Sequence, residues 1–345
     1  MLKNMNIPLP SKKSVDIEAF SMDRNLALEV VRVTEAAALA ASRMVGRGDE
    51  KEADRVAVDA MREAFGSLRI QGRVVIGEGE RDEAPMLYIG EEVGRGKGPK
   101  VDIALDPLEG TTITATGGPN ALAVVALSDE GGFLNAPDVY MEKIAVGPEY
   151  SKNILDLDAP IADTLAKLAK EKGGRIDELL VCILDRARHE HLISEVRAAG
   201  ARITLIPDGD VSAVISCADP DSGIDLYVGT GGAPEGVLAA AALQCTGGQM
   251  LGRLVFRTDA EIQRAERWGV TDLEKVYGVD DLAKPGNIMF AATGVTTGTM
   301  LKGVRRFPGG AVTHSIVMRS KSGTIRKIEA HHNFNRKIGF DAVDF

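Results

Sequence analysis

The sequence predicts an α/β fold built from two joined halves, and three observations carry that expectation. The chain has 345 residues, more than one small core needs. Its first 150 residues read as helices followed by strands, whereas the stretch beyond residue 160 alternates strand and helix in the rhythm of βαβ crossovers. Hydrophobic residues make up 44% of the chain and aromatics only 4%, so packing falls to Ala, Val, Leu and Ile, as in alanine-rich helices laid on aliphatic strands.

Taken in order, residues 1–21 carry Pro8, Pro10 and three lysines without periodicity and are expected to form a tail. A long helical pattern starts near Met22 in MDRNLALEVVRVTEAAALAASRMVG and breaks at GRGDE. A second helix follows in EADRVAVDAMREAF, with Val56, Met61 and Phe65 available to a core. RVVIGEGERDEAPMLYIGEEVG alternates β-branched runs with glycine-rich acidic loops, VDIALD is a strand, and NALAVVALSDEGGFLNAPDVYMEKIAVG reads as a paired set of strands. The polar, turn-rich GPEYSKNILDLDAP marks a boundary near residue 150. Beyond it come helix PIADTLAKLAKEKGG, strand ELLVCIL, helix EHLISEVRAAGA, strand RITLIP, helix VSAVISCA, strand DLYVGTGG and helix GVLAAAALQC. The expected division is a tail at 1–21, one half at 22–150, a second at 151–334 and a C-terminal tail at 335–345.

A formal charge of −9 argues against a broad surface for nucleic acid or anionic lipid, so a small anionic ligand would need metal ions or clustered arginines. Cys182, Cys217 and Cys245 are widely spaced, two of them in apolar runs, which reads as buried thiols rather than a disulfide framework. The opening MLKNMNIPLPSKKS lacks the apolar core of a signal peptide, and no run approaches the roughly 18 apolar residues of a membrane span. A soluble cytoplasmic protein, with no nucleic-acid or membrane partner, is expected.

The chemistry concentrates in loops at element ends. Carboxylates stand at Asp54, at Glu78, Glu80 and Asp82 in GEGERDE, at Asp106 and Glu109 in DPLEGT, and at Glu235 in GGAPEG. Mg²⁺ and Mn²⁺ take oxygen ligands, usually a few carboxylates with water and phosphate oxygens. GEGE alone reads as a solvated turn. DPLEGT follows a fully apolar strand, and its proline and glycine allow the loop to aim Asp106 and Glu109 at one point while offering Thr111 to a phosphate. With several such loops present, metal binding is the better reading. VGTGGAPEGV fails the dinucleotide pattern G-x-G-x-x-G because Pro234 holds the sixth position. It suits either a tight βα turn or an anion cradle in which a cation screens Glu235. DRARHEH puts Arg186 and Arg188 at a strand end, as a phosphate grip or as an exposed helix start, and its histidines make no zinc pattern. Asp208 and Asp210 in PDGD suit sugar hydroxyls or a turn with a helix cap, and Tyr140 suits a ligand contact or a structural tyrosine.

These segments, with GRGDEKEAD, VVIGEGERDEAPMLYIGE, VDIALDPLEGT, NALAVVAL, FLNAPDVYMEK, IPDGDV and GGAPEGV in that order, resemble the class II fructose-1,6-bisphosphatases of the GlpX type from about Met22 to His332. The resemblance implies a layered α-β-α-β-α sandwich of the sugar-phosphatase kind, shared with inositol monophosphatases, assembled as a homo-oligomer, either tetramer or dimer. It implies metal-dependent hydrolysis of the 1-phosphate of fructose 1,6-bisphosphate in gluconeogenesis, with two or more Mg²⁺ or Mn²⁺ ions. The residues at 22–150 would then be the metal-binding half and those at 151–334 the sugar-phosphate half. By motif, the implied metal ligands are Asp54, Glu78, Asp106, Glu109 and Glu235. The implied substrate contacts are Glu109, Gly110, Thr111, Tyr140, Arg186, Ala187, Arg188, Asp208, Gly209, Asp210 and Gly232. In the expected in-line attack by water, Glu80, Asp82 or Thr111 orients or deprotonates the nucleophile, and Arg186 and Arg188 hold the 6-phosphate. Glu109 stands where inositol monophosphatases carry aspartate, which favours the bisphosphatase over its cousins. Sedoheptulose 1,7-bisphosphate is an alternative substrate, and a non-catalytic sugar-phosphate or nucleotide sensor is the alternative from another class.

Overall fold

The computed structural model describes residues 17–79 and 86–336; Glu80, Asp82, most of the expected N-terminal tail and nearly all of the C-terminal one lie outside the described residues. The chain opens with α1 (Ile17–Ala41) and α2 (Glu50–Phe65), then β1 (Gln71–Ile76), β2 (Glu92–Val93), β3 (Lys100–Glu109), α3 (Thr111–Thr116), β4 (Leu122–Asp129) and β5 (Tyr140–Val146). It continues through α4 (Ile161–Lys172), β6 (Leu180–Leu184), α5 (Glu190–Ala199), β7 (Arg202–Ile206), α6 (Asp210–Ser216), β8 (Leu226–Gly232) and α7 (Ala233–Thr246). The remainder is β9 (Gln249–Val255), α8 (Asp259–Arg267), β10 (Val276–Gly278), α9 (Val279–Leu282), β11 (Met289–Gly294), β12 (Arg305–Phe307), β13 (Gly310–Arg319) and β14 (Thr324–Asn333).

Two mixed sheets result. The first runs β12-β13-β11-β4-β3-β1-β2, with β14 paired to β13; the second runs β10-β9-β5-β8-β6-β7. Among the described residues of the first sheet only β1 and β3 are parallel, and in the second β8, β6 and β7 form the parallel part. α1 and α2 cover the outer face of the first sheet, and α4 and α5 cover the outer face of the second. Between the sheets lie α6, α7 and α9, and α7 touches strands of both. The order is therefore the five-layer α-β-α-β-α sandwich.

Local sequence explains the layers. α2 is capped by Asp49, whose carboxylate accepts from Glu52 N at 3.0 Å, and it buries Ala53, Ala57, Val58, Met61 and Phe65 toward the first sheet. Met61 and Phe65 enter the core as expected, but Val56 is only half-buried and Val58 takes the inward place, one residue pair round the helix. α7 has no polar face: Gly236, Val237, Leu238, Ala239, Ala240, Ala241, Ala242 and Leu243 are all buried, as a helix enclosed by two sheets requires. The three cysteines are buried and free.

The expected elements need two corrections. β4 and β5 do not pair with each other: β4 lies between β3 and β11, and β5 lies between β8 and β9 in the other sheet. Both are apolar runs, and apolarity alone does not select a partner across the chain. α1 begins at Ile17, five residues before the expected start at Met22. Sheet membership also departs from chain order, because residues 289–333 return to complete the first sheet.

Candidate active site

The two sheets point strand ends at a common cleft, the place where open α/β sheets bind ligands. β3 contributes most. Its pairing with β4 shifts register between Asp106 and Glu109, so that three steps along β3 oppose two along β4. In a regular strand, residues three apart point to opposite faces; the extra residue between Asp106 and Glu109, in a stretch where Pro107 has no N–H to waste, brings both carboxylates to one side. Asp106 also accepts from Leu108 N at 3.0 Å, which tightens the bulge. Gly110 follows at φ 92°, a left-handed conformation that turns the chain sharply into α3 and leaves Thr111 at the cleft.

A 320 Å³ cavity is lined by Asp54 of α2, Glu78 just beyond β1, Asp106, Glu109, Gly110, Thr111, Asp208 and Glu235 at the start of α7. Carboxylate oxygens of Asp106, Glu109 and Glu235 lie within 4.8 Å of one another. Asp138 lines the same cavity and was not singled out from sequence; its only signal is an acid directly ahead of the Tyr140 strand.

The electrostatics of this cluster are unfavourable without a cation. Burial, then Asp106 and Asp54, push Glu78 up to about 9. Burial raises Asp106 to about 6, partly opposed by its bond with Glu109, while Glu109 itself is driven well above the usual carboxylate range by burial and by Asp106, Asp210 and Glu235. Glu235 rises to about 7, chiefly through burial and Asp210, and Asp54 and Asp208 are raised by burial. Among the described residues, Glu235 Oε2 is buried without a hydrogen-bond partner. Converging acids with an orphaned oxygen fit a divalent cation, which would favour the ionised form of each.

A second group comes from the second sheet; of its expected substrate contacts only Asp208 lines the cavity, and Tyr140, Arg186, Ala187, Arg188, Gly209 and Gly232 stand outside that lining. Arg186, Ala187 and Arg188 occupy the turn after β6, with Arg186 3.8 Å from Asp208. Arg188 donates twice to Thr230 O, at 2.9 and 2.7 Å, and its guanidinium lies 4.8 Å from the Tyr140 ring centre. Arg257, absent from the sequence reading, lies 4.3 Å from the same ring. Gly209 and Asp210 start α6, but Asp210 does not line the cavity: it is buried, ion-paired to Lys143 and 3.3 Å from the Tyr227 hydroxyl. Lys143, almost wholly buried, also donates to Gly232 O at 2.9 Å. Its signal was a lysine inside the apolar run YMEKIAV, whose partner lies 67 residues on.

His189, dismissed above as a zinc ligand, is buried and structural in its bonding. Thr230 N donates to its Nε2 at 2.8 Å, which leaves Nδ1–H to donate to Leu184 O at 2.8 Å. Burial and the neighbouring Arg188 and Arg186 hold it below the ordinary imidazole range, against the bond to Leu184. His331 and His332 sit on β14 at the edge of the first sheet; His331 is exposed, whereas His332 is half-buried and bonded to Thr313.

The chain is 48% identical over 329 residues to fructose-1,6-bisphosphatase 1 class 2 of Escherichia coli (strain K12), covering 92% of this chain and 97% of that protein. The class 2 enzyme of Shigella flexneri matches with the same identity and coverage. Residues 24–332 match the family described as bacterial fructose-1,6-bisphosphatase, glpX-encoded. The chain belongs to that family.

Proposed function

We propose that this protein hydrolyses the 1-phosphate of fructose 1,6-bisphosphate to fructose 6-phosphate and inorganic phosphate, a gluconeogenic step, using two or more Mg²⁺ or Mn²⁺ ions. The observation that carries this reading is the acid cluster with the unpartnered Glu235 oxygen, in a cavity whose Asp208 lies 3.8 Å from Arg186. Asp54, Glu78, Asp106, Glu109 and Glu235 would hold the cations. When bound, such ions stabilise charge on the phosphoryl oxygens and make water a better nucleophile.

The chain's own residues have separate tasks. Thr111, at the cleft mouth beside Gly110, would present its hydroxyl to the attacking water, orienting it for in-line approach. Arg186, Arg188 and Tyr140 would bind the 6-phosphate, which takes no part in bond breaking and serves as a handle for alignment. Asp208 sits between the two walls, 3.8 Å from Arg186 and in the acidic cavity, as a contact for sugar hydroxyls would. Lys143 pairs with Asp210 beneath the site, so neither buried charge is left alone.

Phosphate release from fructose 1,6-bisphosphate, sedoheptulose 1,7-bisphosphate and inositol 1-phosphate, each with Mg²⁺ and with Mn²⁺, tests the reading. Turnover should depend on the cation and be confined to the bisphosphates, whose kcat/KM values rank the two sugars. No release from either by folded protein at saturating cation would overturn it. Assembly as a homo-oligomer, tetramer or dimer, is part of the same proposal and is read by light scattering. Among the described residues, no helix is long and apolar enough to cross a membrane.

A further inference from the structure

We propose that His189 is a positioning residue for the sugar-phosphate wall: its imidazole replaces the missing rungs between β6 and β8 and thereby fixes Arg188. The inference rests on the sugar-phosphate reading above. β6 and β8 pair only at Val181 with Leu226 and at Cys182 with Tyr227, and then the ladder stops. Beyond that point the strand ends separate, as they must to open a cleft, and backbone groups facing the gap lose their partners.

Thr230 lies in this gap. On its other side β8 pairs with β5, where Thr230 sits opposite Glu142. In an antiparallel pair the N–H and C=O of one residue point the same way, and here both point away from β5. The N–H goes to His189 Nε2 at 2.8 Å and the C=O receives the two bonds from Arg188. On the opposite flank His189 Nδ1 bonds Leu184 O, the last residue of β6. One ring thus spans from β6 to β8. It packs against Gly229, where a Cβ would meet two ring atoms at 3.2 Å, and His189 is only 3% exposed. The residue next to it in sequence is Arg188, whose guanidinium bonds the carbonyl of the same residue whose N–H His189 accepts. Two of the three links that set Arg188 in place therefore run through Thr230, and His189 holds Thr230.

Amide replacements separate this role from simple filling of space. In Asn the side-chain N–H₂ lies where Nδ1 does and can keep the bond to Leu184; in Gln the carbonyl oxygen reaches the place of Nε2 and can accept from Thr230. His189→Asn should raise KM for fructose 1,6-bisphosphate about tenfold with little change in kcat, and should weaken fructose 6-phosphate binding in calorimetry by a similar factor. His189→Gln should recover most of both. Thermal melts of the two variants check that each is folded.

Equal KM and product affinity in folded His189→Asn and wild type would overturn the inference, as would loss of kcat rather than KM, or Gln and Asn behaving alike. Wild type that binds fructose 6-phosphate more tightly than His189→Asn but releases no phosphate would leave the inference standing and overturn the catalytic reading. Wild type that binds no fructose 6-phosphate at all would overturn both.

Discussion

Around the end of the first sheet, Asp54, Glu78, Asp106, Glu109 and Glu235 crowd one cavity with raised pKa values and an acid oxygen without a partner. At the end of the second sheet, Lys143 answers Asp210, His189 answers Thr230, and Arg188 is held on a carbonyl and beside an aromatic ring. The contrast teaches how one cleft divides its work. The first wall keeps unfavourable charge that an external cation relieves, whereas the second wall is organised by the protein's own groups before any ligand arrives.

Neutralising one acid breaks the comparison most strongly. Asp106→Asn should cut turnover on the order of 10³-fold or more, as the proposed role of Asp106 in holding a cation against the phosphoryl charge requires. The same variant without metal should melt higher than wild type at pH 8, since one of the crowded charges is gone; a lower melting temperature would show that the wall is not repulsive. On the second wall, Lys143→Met should cost about 3–5 kcal/mol in denaturant unfolding, because it strands Asp210 in the interior. Adding Asp210→Asn should recover part of that loss, and if it does not, the pair is not what holds this wall.

A smaller effect separates binding from chemistry. Arg188→Ala should raise KM for the bisphosphate about tenfold and leave kcat much closer to wild type. A fall in kcat at constant KM would move Arg188 from the handle to the reacting phosphate. The smallest effect is in pH. The folded pKa values of Glu78, Asp106 and Glu235 stand above those of the unfolded chain, at about 9, 6 and 7. The metal-free fold therefore retains protons that the unfolded chain releases, and the stabilisation present at low pH is lost as pH rises through 6 to 9. Calorimetry without divalent cation should show the melting temperature falling from pH 5 to pH 9, and the gain on adding Mg²⁺ or Mn²⁺ should grow over the same range. A flat metal-free profile would mean the acids are already compensated.

Much of this was legible in the chain because the chemistry is local. DPLEGT holds two ligand-type acids, a proline and a glycine in six residues, and its exit from an apolar strand marks it as more than a surface turn. The bulge that turns both acids to one face was not legible, since it is defined by the register against β4 rather than by β3 itself. His189 and Lys143 were missed for a related reason: their partners, Thr230 and Asp210, lie 41 and 67 residues away and meet them only when β6, β8 and β5 are laid side by side. The split of β4 and β5 between sheets was hidden because two apolar strands separated by a short polar loop look alike whether they pair or part. Asp54 and Glu235 stand on different helices, and their convergence was an expectation from resemblance, not from spacing.

The return of residues 289–333 to the first sheet sets an order on biosynthesis. All strands of the second sheet lie between residues 140 and 278, so that sheet can close while the chain is still emerging. β4 is made much earlier, yet one of its edges waits for β11, more than 150 residues downstream. Until then the nascent protein carries an open strand edge that is apolar from Leu122 to Leu127, the kind of surface that recruits chaperones or a neighbouring copy. The acid cluster on β3 is thus assembled on a sheet that is finished last, which makes full-length synthesis a precondition for a competent site.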